Sequence, residues 1–381
     1  MNISHVPLNV LIVPDKFKGT LTAQQAADAM AAGWRAERPL DHLELLPMSD
    51  GGDGFGEVMG FHLEGQTQQS RTVDAAHHPI DASWWWCPAS ATAIIETARI
   101  VGLAMLPPGK FHPFELDTFG LGAVLRDAAS LGARRCILGI GGSATNDAGF
   151  GVARALGWQF YNDHEETISR WSQLNHLASI RPPQQSLSFD DVSVAVDVQN
   201  PLLGPSGCSR VYGPQKGLTE FEFAESCLGR LVEIWERQFH VNHASIPGSG
   251  AAGGLGFGLV TFLGAKLLPG FAMFSDATKF EERVRNAHVV LTGEGALDDQ
   301  TLMGKGVGEV AQLCRRLGIP CLGLAGVVPN PDAARKIFDA VFALDAITDR
   351  DSALRQPSLW LERMTATVAA YWHGAEPTER R

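Results

Sequence analysis

Ile137-Leu138-Gly139-Ile140-Gly141-Gly142-Ser143-Ala144-Thr145-Asn146-Asp147-Ala148-Gly149 runs from a short apolar strand through a glycine pair into hydroxyl and amide residues at the mouth of a helix. Glycine admits positive φ and lets a ligand approach the main chain. Ser143, Thr145 or Asn146 can then cap the helix and leave its free N–H groups for an anion. The same residues also fit a plain strand-to-helix turn with a good N-cap and no ligand. Both readings put a buried strand directly ahead of a helix, which is the unit of an α/β protein.

That unit recurs on both sides of the stretch. Asn9-Val10-Leu11-Ile12-Val13 is a continuous apolar run, as expected of a strand buried on both faces, and it empties into Pro14-Asp15-Lys16-Phe17-Lys18-Gly19. A helix capped by Thr22 follows, then a strand at 43–48, the loop Ser49-Asp50-Gly51-Gly52-Asp53-Gly54 and a helix at 55–62. From residue 66 the pattern changes to short strands at 66–73, 82–87 and 91–96, in which the Trp84-Trp85-Trp86 triplet reads as strand packing because neighbours face opposite sides. Phe221, Ala224, Leu228, Leu231, Trp235 and Phe239 recur at helical spacing and mark core. The segment 247–258 is too rich in glycine for an ordinary turn and reads as bare backbone for a ligand. Strands near 288–291, 321–324 and 341–344 alternate with helices to the end. The expected fold is therefore α/β, with a doubly wound parallel sheet of about five strands built from residues 1–65 and 285–381, and a second α/β domain, 66–284, inserted between them.

Composition narrows the function. Glycine supplies 41 of the 381 residues, above the usual ~7%, with no repeat to explain it. A net charge of −11 argues against a nucleic-acid partner. The chain lacks an apolar run long enough for a membrane span, and its first residues lack a signal-peptide pattern, so a cytoplasmic protein is expected. Six scattered cysteines without CxxC spacing suggest buried thiols and neither a disulfide framework nor a metal site of their own. No Walker, kinase HRD/DFG, HExxH or strand–GxGxxG–helix signature is present. What is present is a series of Gly-rich loops bearing acids, amides and lysines: Asp15, Lys16 and Lys18; Asp50 and Asp53; Asn146 and Asp147; Asp197 and Asn200; Gln215 and Lys216; Glu294, Asp298 and Lys305. Such an inventory suits phosphoryl transfer, which depends on positioning and electrostatics.

With those residues in view, the blocks VPDKFKGTLTA (13–23), PMSDGGDGFGEV (47–58), GIGGSATNDAG (139–149), DVQNPLLGPSG (197–207), VYGPQKG (211–217), GSGAAGGLGFGL (248–259) and LTGEGALDDQTLMGKG (291–306) resemble the bacterial-type glycerate kinase family. The resemblance spans nearly the whole chain. It departs at Asp117-Thr118-Phe119-Gly120-Leu121-Gly122, where the family carries more hydroxyls, and at Asp53, where many members carry Glu. The resemblance implies two α/β domains, one flavodoxin-like, and transfer of the γ-phosphoryl group of ATP, with Mg²⁺, to D-glycerate, the 2-hydroxyl being favoured. Carried onto this sequence, it implies Asp197 as general base beside Asn200, with Lys16 and Lys216 at the substrate carboxylate or the transferring phosphoryl group. Nucleotide or substrate would meet Asp15, Lys18, Gly51, Gly52, Gly141, Gly142, Ser143, Thr145, Asn146, Gln215, Gly250, Gly253, Gly254, Gly295, Asp298, Gln300, Thr301 and Lys305, and Asp50, Asp53 or Glu294 would serve the metal. A small-molecule partner, and a monomer or homodimer, are expected. Two other readings stand beside this one: a serine hydrolase using Ser143, and a non-catalytic protein that binds a small organic acid.

Overall fold

A computed structural model describes residues 6–49, 51–52, 54–302 and 305–372, Gln300 by its backbone alone. The chain begins with strands β1 (Asn9–Pro14) and β2 (His42–Leu45). Eight more follow in the middle: β3 (Gln66–Val73), β4 (Pro79–Cys87), β5 (Thr92–Glu96), β6 (Arg135–Gly139), β7 (Gln159–Asn162), β8 (Leu177–Arg181), β9 (Asp191–Ala195) and β10 (Lys266–Leu268). β11 (Val289–Ala296), β12 (Cys321–Val327) and β13 (Ala340–Ala343) complete the order.

Two compact units result, one from Met1–Asp50 with Phe274–Arg381 and the other from Gly51–Met273. The chain crosses between them earlier, at both points, than residues 65 and 284. Packing explains the first shift: the helix Phe55–His62 lies on β4 and β5, with Gly56 and Gly60 pressed against the Trp85 ring. At the return, the buried rings of Phe274 and Phe280 meet with centroids 5.7 Å apart, which ties the end of the helix Gly270–Thr278 to the helix Phe280–Asn286.

In the first unit the sheet order is β13-β12-β11-β1-β2, every pair parallel. Counted within the unit, that is 2-1-3-4-5, the flavodoxin-like order, whose reversal falls between β1 and β11. Val10 to Val13 are buried, as their unbroken apolar run requires. The helix Ala23–Glu37 starts in a capping box, in which Thr22 Oγ1 accepts from the Gln25 N–H and Gln25 Oε1 from the Thr22 N–H. It packs along the helix Pro357–Tyr371 so closely that a methyl group on Gly33 would collide with the Glu362 carbonyl oxygen.

The second unit has a six-stranded sheet, β10-β9-β6-β5-β4-β3, parallel from β10 to β5 and antiparallel from β5 to β3. β7 and β8 form a separate hairpin covered by the helix Phe221–Phe239, which buries Ala224, Leu228, Leu231 and Trp235. The tryptophan triplet is strand packing. Trp84 and Trp85 are buried on opposite faces of β4, and Trp84 Nε1 donates to Ser70 Oγ at 2.9 Å.

Replacing Gly33 by alanine tests the helix contact against helix propensity. Propensity alone predicts a gain of about 1 kcal/mol, whereas overpacking against a carbonyl predicts a loss of about 1–3 kcal/mol. Gly33→Ala should therefore lower the urea midpoint, and a raised midpoint would contradict the close approach.

Candidate functional site

The carboxyl ends of β5, β6 and β9 lie side by side, with Glu96 opposite Gly139 and Gly139 opposite Ala195 in the parallel register. Three predicted loops leave or meet this edge almost backbone to backbone. The Gly51 carbonyl accepts from the Gly141 N–H at 3.3 Å. A Cβ on Gly141 would stand 2.8 Å from Gly52 Cα, and one on Gly51 would stand 2.9 Å from Ala195 Cβ. Glycine at these positions is what allows the approach.

The loop after β6 differs from the expectation in how it meets its helix. Helical structure begins only at Phe150, with Gly149 at φ 72° as N-cap and no side-chain cap; Ser143, Thr145 and Asn146 do not cap it. The residue that serves the helix start is Asp147. It is fully buried, and its Oδ2 accepts from the Gly151 N–H at 2.8 Å and from the Thr118 N–H and hydroxyl at 2.9 and 2.8 Å. Oδ1 takes the Gly149 N–H at 3.3 Å. The anion at this helix start is thus the protein's own carboxylate, so the position open to a ligand shifts back along the loop to half-buried Gly141 and exposed Gly142. Burial first, and then the charge of Asp117, pushes the Asp147 carboxyl up to about 6 against the pull of its hydrogen bonds.

Lys216 fixes the same loop from another side. It is 7% exposed, and its ammonium donates to the Thr145 carbonyl at 2.6 Å. Burial lowers its pKa to about 8, opposed by Cys208 and by Asp147. Asn146 is also fully buried, its Nδ2 donating to Ser209 Oγ at 2.9 Å while Oδ1 has no partner among the described residues. Ser143 shares a 2.8 Å hydrogen bond with the Thr145 hydroxyl and accepts the Thr145 N–H. Among the described residues neither a histidine nor a carboxylate bonds Ser143, so it lacks the base a serine nucleophile needs.

The glycine-rich segment is the start of the helix Ala251–Leu263, whose Ala252, Gly253 and Gly254 are left-handed. A Cβ on Gly253 would collide with the Thr145 carbonyl oxygen, and one on Gly254 would stand 2.9 Å from Ala148 Cα. Here the bare backbone faces protein. The Gly250 N–H donates to the Asn200 carbonyl at 2.9 Å, which joins this segment to the loop after β9. On that loop Asp197 is half-buried and Oδ1 accepts from the Gly270 N–H at 3.0 Å. Asn200 donates to the Ser206 carbonyl at 2.8 Å and accepts from the Tyr212 hydroxyl at 2.6 Å. Gln215 is exposed.

The first unit gathers its own set at the carboxyl ends of β1 and β11, beside the order reversal. The Asp15 N–H donates to the Gly293 carbonyl at 2.9 Å, and buried Asp15 accepts the Lys16 N–H at 2.6 Å. Lys16 is half-buried and Lys18 exposed, and a Cβ on Gly295 would lie 3.3 Å from the Lys18 nitrogen. Glu294 Oε1 accepts from the buried Thr301 hydroxyl at 2.7 Å, while Asp298 and Lys305 are exposed. Asp50, Asp53 and the Gln300 side chain lie outside the described residues. A small cavity of about 150 Å³, lined by Asn9, His42 and Glu44 among others, opens at the amino ends of β1 and β2, away from these loops.

Three residues that the sequence reading did not assign complete the picture: Glu96, Thr118 and Ser209, all buried. Thr118 lies in the departing stretch 117–122, and its hydroxyl both donates to Asp147 and accepts the Val152 N–H at 2.9 Å. Glu96 alone had a visible signal, a carboxylate closing the buried run Thr92–Glu96.

Comparison with known proteins agrees with this architecture. The model of the glycerate kinase family matches residues 10–373. This chain belongs to the glycerate kinase family. It is 38% identical to a glycerate kinase of Halalkalibacterium halodurans over 94% of this chain and 97% of that one. It is 34% identical to a glycerate 2-kinase of Escherichia coli, over 95% and 97%. The crystal structure of a putative glycerate kinase 2 from Salmonella typhimurium LT2 superposes with a TM-score of 0.82 at 34% identity, covering 96% of this chain and 98% of that one.

The resemblance implies Mg²⁺, for which the described residues offer a carboxylate donor. Mg²⁺ is held by one or two carboxylates together with substrate phosphates and water, and Glu294 is a half-buried oxygen donor at a strand end. The six cysteines are buried, so they provide no competing soft site. Among the described residues no group of three or more His, Cys, Asp or Glu is gathered for a metal.

The pH dependence of turnover tests Lys216. As pH rises through about 8 its ammonium loses the proton that holds the Thr145 carbonyl, so activity should fall there. Arginine stays charged, so Lys216→Arg, if active, should lose that limb. Stability moves oppositely: the unfolded chain keeps this proton up to the ordinary lysine range, so stability should rise with pH above about 8. A wild-type profile flat across pH 8 would remove Lys216 as the controlling group.

Proposed function

We propose that this chain is an ATP-dependent kinase of D-glycerate, transferring the γ-phosphoryl group to the 2-hydroxyl in preference to the 3-hydroxyl. The observation that carries the reading is the family match from residue 10 to 373 on a fold whose Gly-rich loops gather at the carboxyl ends of parallel strands. The preference for the 2-position rests on the name of the Escherichia coli relative.

In this reading the acceptor oxygen attacks the γ-phosphorus as the bond to the β-phosphate oxygen breaks, and Asp197 takes the hydroxyl proton. Its bond from the Gly270 N–H holds the carboxylate in place. Lys16 and Lys18 neutralise phosphate or carboxylate oxygens, and Gly141 and Gly142 present main chain to an anion. Lys216, buried and bonded to Thr145, acts through the loop it holds; Asn200 braces the loop that carries Asp197. Glu294 would hold Mg²⁺, which when bound supplies charge neutralisation on the phosphates; Asp50 and Asp53, also expected at the metal, lie outside the described residues. No helix among the described residues is long and apolar enough to cross a membrane, and the reading places the enzyme in the cytoplasm as a monomer or homodimer acting on small molecules.

One assay with ATP, Mg²⁺ and D-glycerate, the product identified by phosphorus NMR, should yield 2-phosphoglycerate. ATP consumption with tartronate alone would move the substrate to a related hydroxy acid, and labelling of Ser143 by a fluorophosphonate without any kinase activity would favour a hydrolase. Glycerate binding without turnover would leave a binding protein. Asp197→Asn should lower kcat by about 10²–10⁴-fold with glycerate binding largely kept; near-wild-type turnover would exclude Asp197 as the base.

A further inference from the structure

Glu96 ends β5 at 4% exposure, yet its carboxylate serves a segment some forty residues away. Oε1 accepts from the Gly54 N–H at 2.9 Å and Oε2 from the Gly56 N–H at 3.1 Å. Those donors belong to the first turn of the helix Phe55–His62, which has no side-chain cap of its own. Glu96 therefore caps that helix from a neighbouring strand, accepting from its N-cap residue Gly54 and from Gly56. Behind it, Arg99 Nε lies 3.3 Å from Oε2, Arg99 Nη2 reaches Glu57 at 3.2 Å, and the guanidinium stands 5.0 Å over the Trp85 ring.

The clamp matters because of what it holds. Gly51 and Gly54 have φ of 108° and 88°, a backbone with many alternatives when unsupported. The Gly51 carbonyl is tied to the Gly141 N–H, and the Gly54 N–H is tied to Glu96. Charge-assisted bonds to a buried carboxylate are stronger than neutral ones and directional. They select one conformation for glycines that the kinase reading places against substrate.

We propose that Glu96, braced by Arg99, is a positioning residue for phosphoryl transfer: it fixes Gly54, at the start of the helix that follows the glycine pair Gly51-Gly52, and so helps keep that pair in register with the turn after β6. The proposal rests on the kinase reading above. Glu96→Gln keeps one acceptor, turns the other into a donor that faces an N–H, and removes the charge. Misplacement of a substrate-positioning loop should lower kcat about 10- to 100-fold, with the glycerate KM within about twofold. Glu57→Gln, which breaks only the exposed outer pair, should turn over like the wild type. Circular dichroism and thermal melting confirm that each variant is folded at the assay temperature.

Unchanged kcat per folded molecule in Glu96→Gln would overturn the role, even if its melting temperature fell, because that result means a purely structural part. Where Glu96→Gln does not fold, Arg99→Met decides: it leaves both N–H bonds but removes the brace, and a reduced kcat at unchanged KM supports the role while wild-type kcat overturns it. A wild type with no ATP-dependent phosphorylation overturns the kinase reading and this role together. Normal wild-type turnover beside an unaffected Glu96→Gln overturns this role alone.

Discussion

The buried carboxylate of Asp147 is the group on which the geometry of the second unit turns. Four donors converge on it from two segments, the loop after β6 and the turn at Thr118. A charge without a solvent shell is tolerable only when such donors surround it, and even so burial raises its pKa to about 6. Remove the carboxylate and the Gly151 N–H and Thr118 hydroxyl lose their shared acceptor. The left-handed turn at Ala148 and Gly149 then loses what holds it. Lys216 fixes the preceding residues through Thr145, so residues 145–151 are held by one buried anion and one buried cation, each bonded to main chain.

Glu96 repeats the device at the neighbouring strand end. In both places a buried carboxylate takes the N–H groups of a helix start that would otherwise be open to a ligand. Helix starts attract anions because their amides are unpaired, and here the protein satisfies them internally. In the proposed kinase reading the substrate meets the glycine main chain just ahead of each cap: Gly52 before one helix, Gly141 and Gly142 before the other. The half-exposure of Gly52 and Gly141 and the full exposure of Gly142 match that division.

Much of the fold was legible because parallel strands buried on both faces leave uninterrupted apolar runs, and Val10 to Val13 and Val289 to Leu291 show them plainly. The exchange between the units was harder to locate. Whether the helix Phe55–His62 belongs with the strand before it or the strands after it depends on Gly56 and Gly60 meeting Trp85, a contact between residues far apart in sequence. The loop after β6 was found by its glycines, but the N-cap was misread. Ser, Thr, Asn and Asp are near-equal as caps, and only the packing of Gly253 against Thr145, with Thr118 on the other side, moves the helix start on to Phe150. Glu96 is marked only as a carboxylate closing a buried run, which does not tell what it bonds, and Ser209 carries no local pattern, since a hydroxyl bonded to a distant group leaves none.

The net charge of −11 and the anionic substrates of the proposed reaction are reconciled by distance. At physiological ionic strength charges more than about 8 Å apart are largely screened, so the surface excess of acids acts weakly on a bound anion. Groups in contact act without that screening. In the first unit Lys16 and Lys18 bring positive charge to the strand ends, and in the second the buried Asp147 and Lys216 offset each other between about pH 6 and 8 because each then carries its charge. The buried acids therefore do not oppose the substrate as an outward-facing acid would. Their field is directed into the amides they hold, and those amides are what fix the turns.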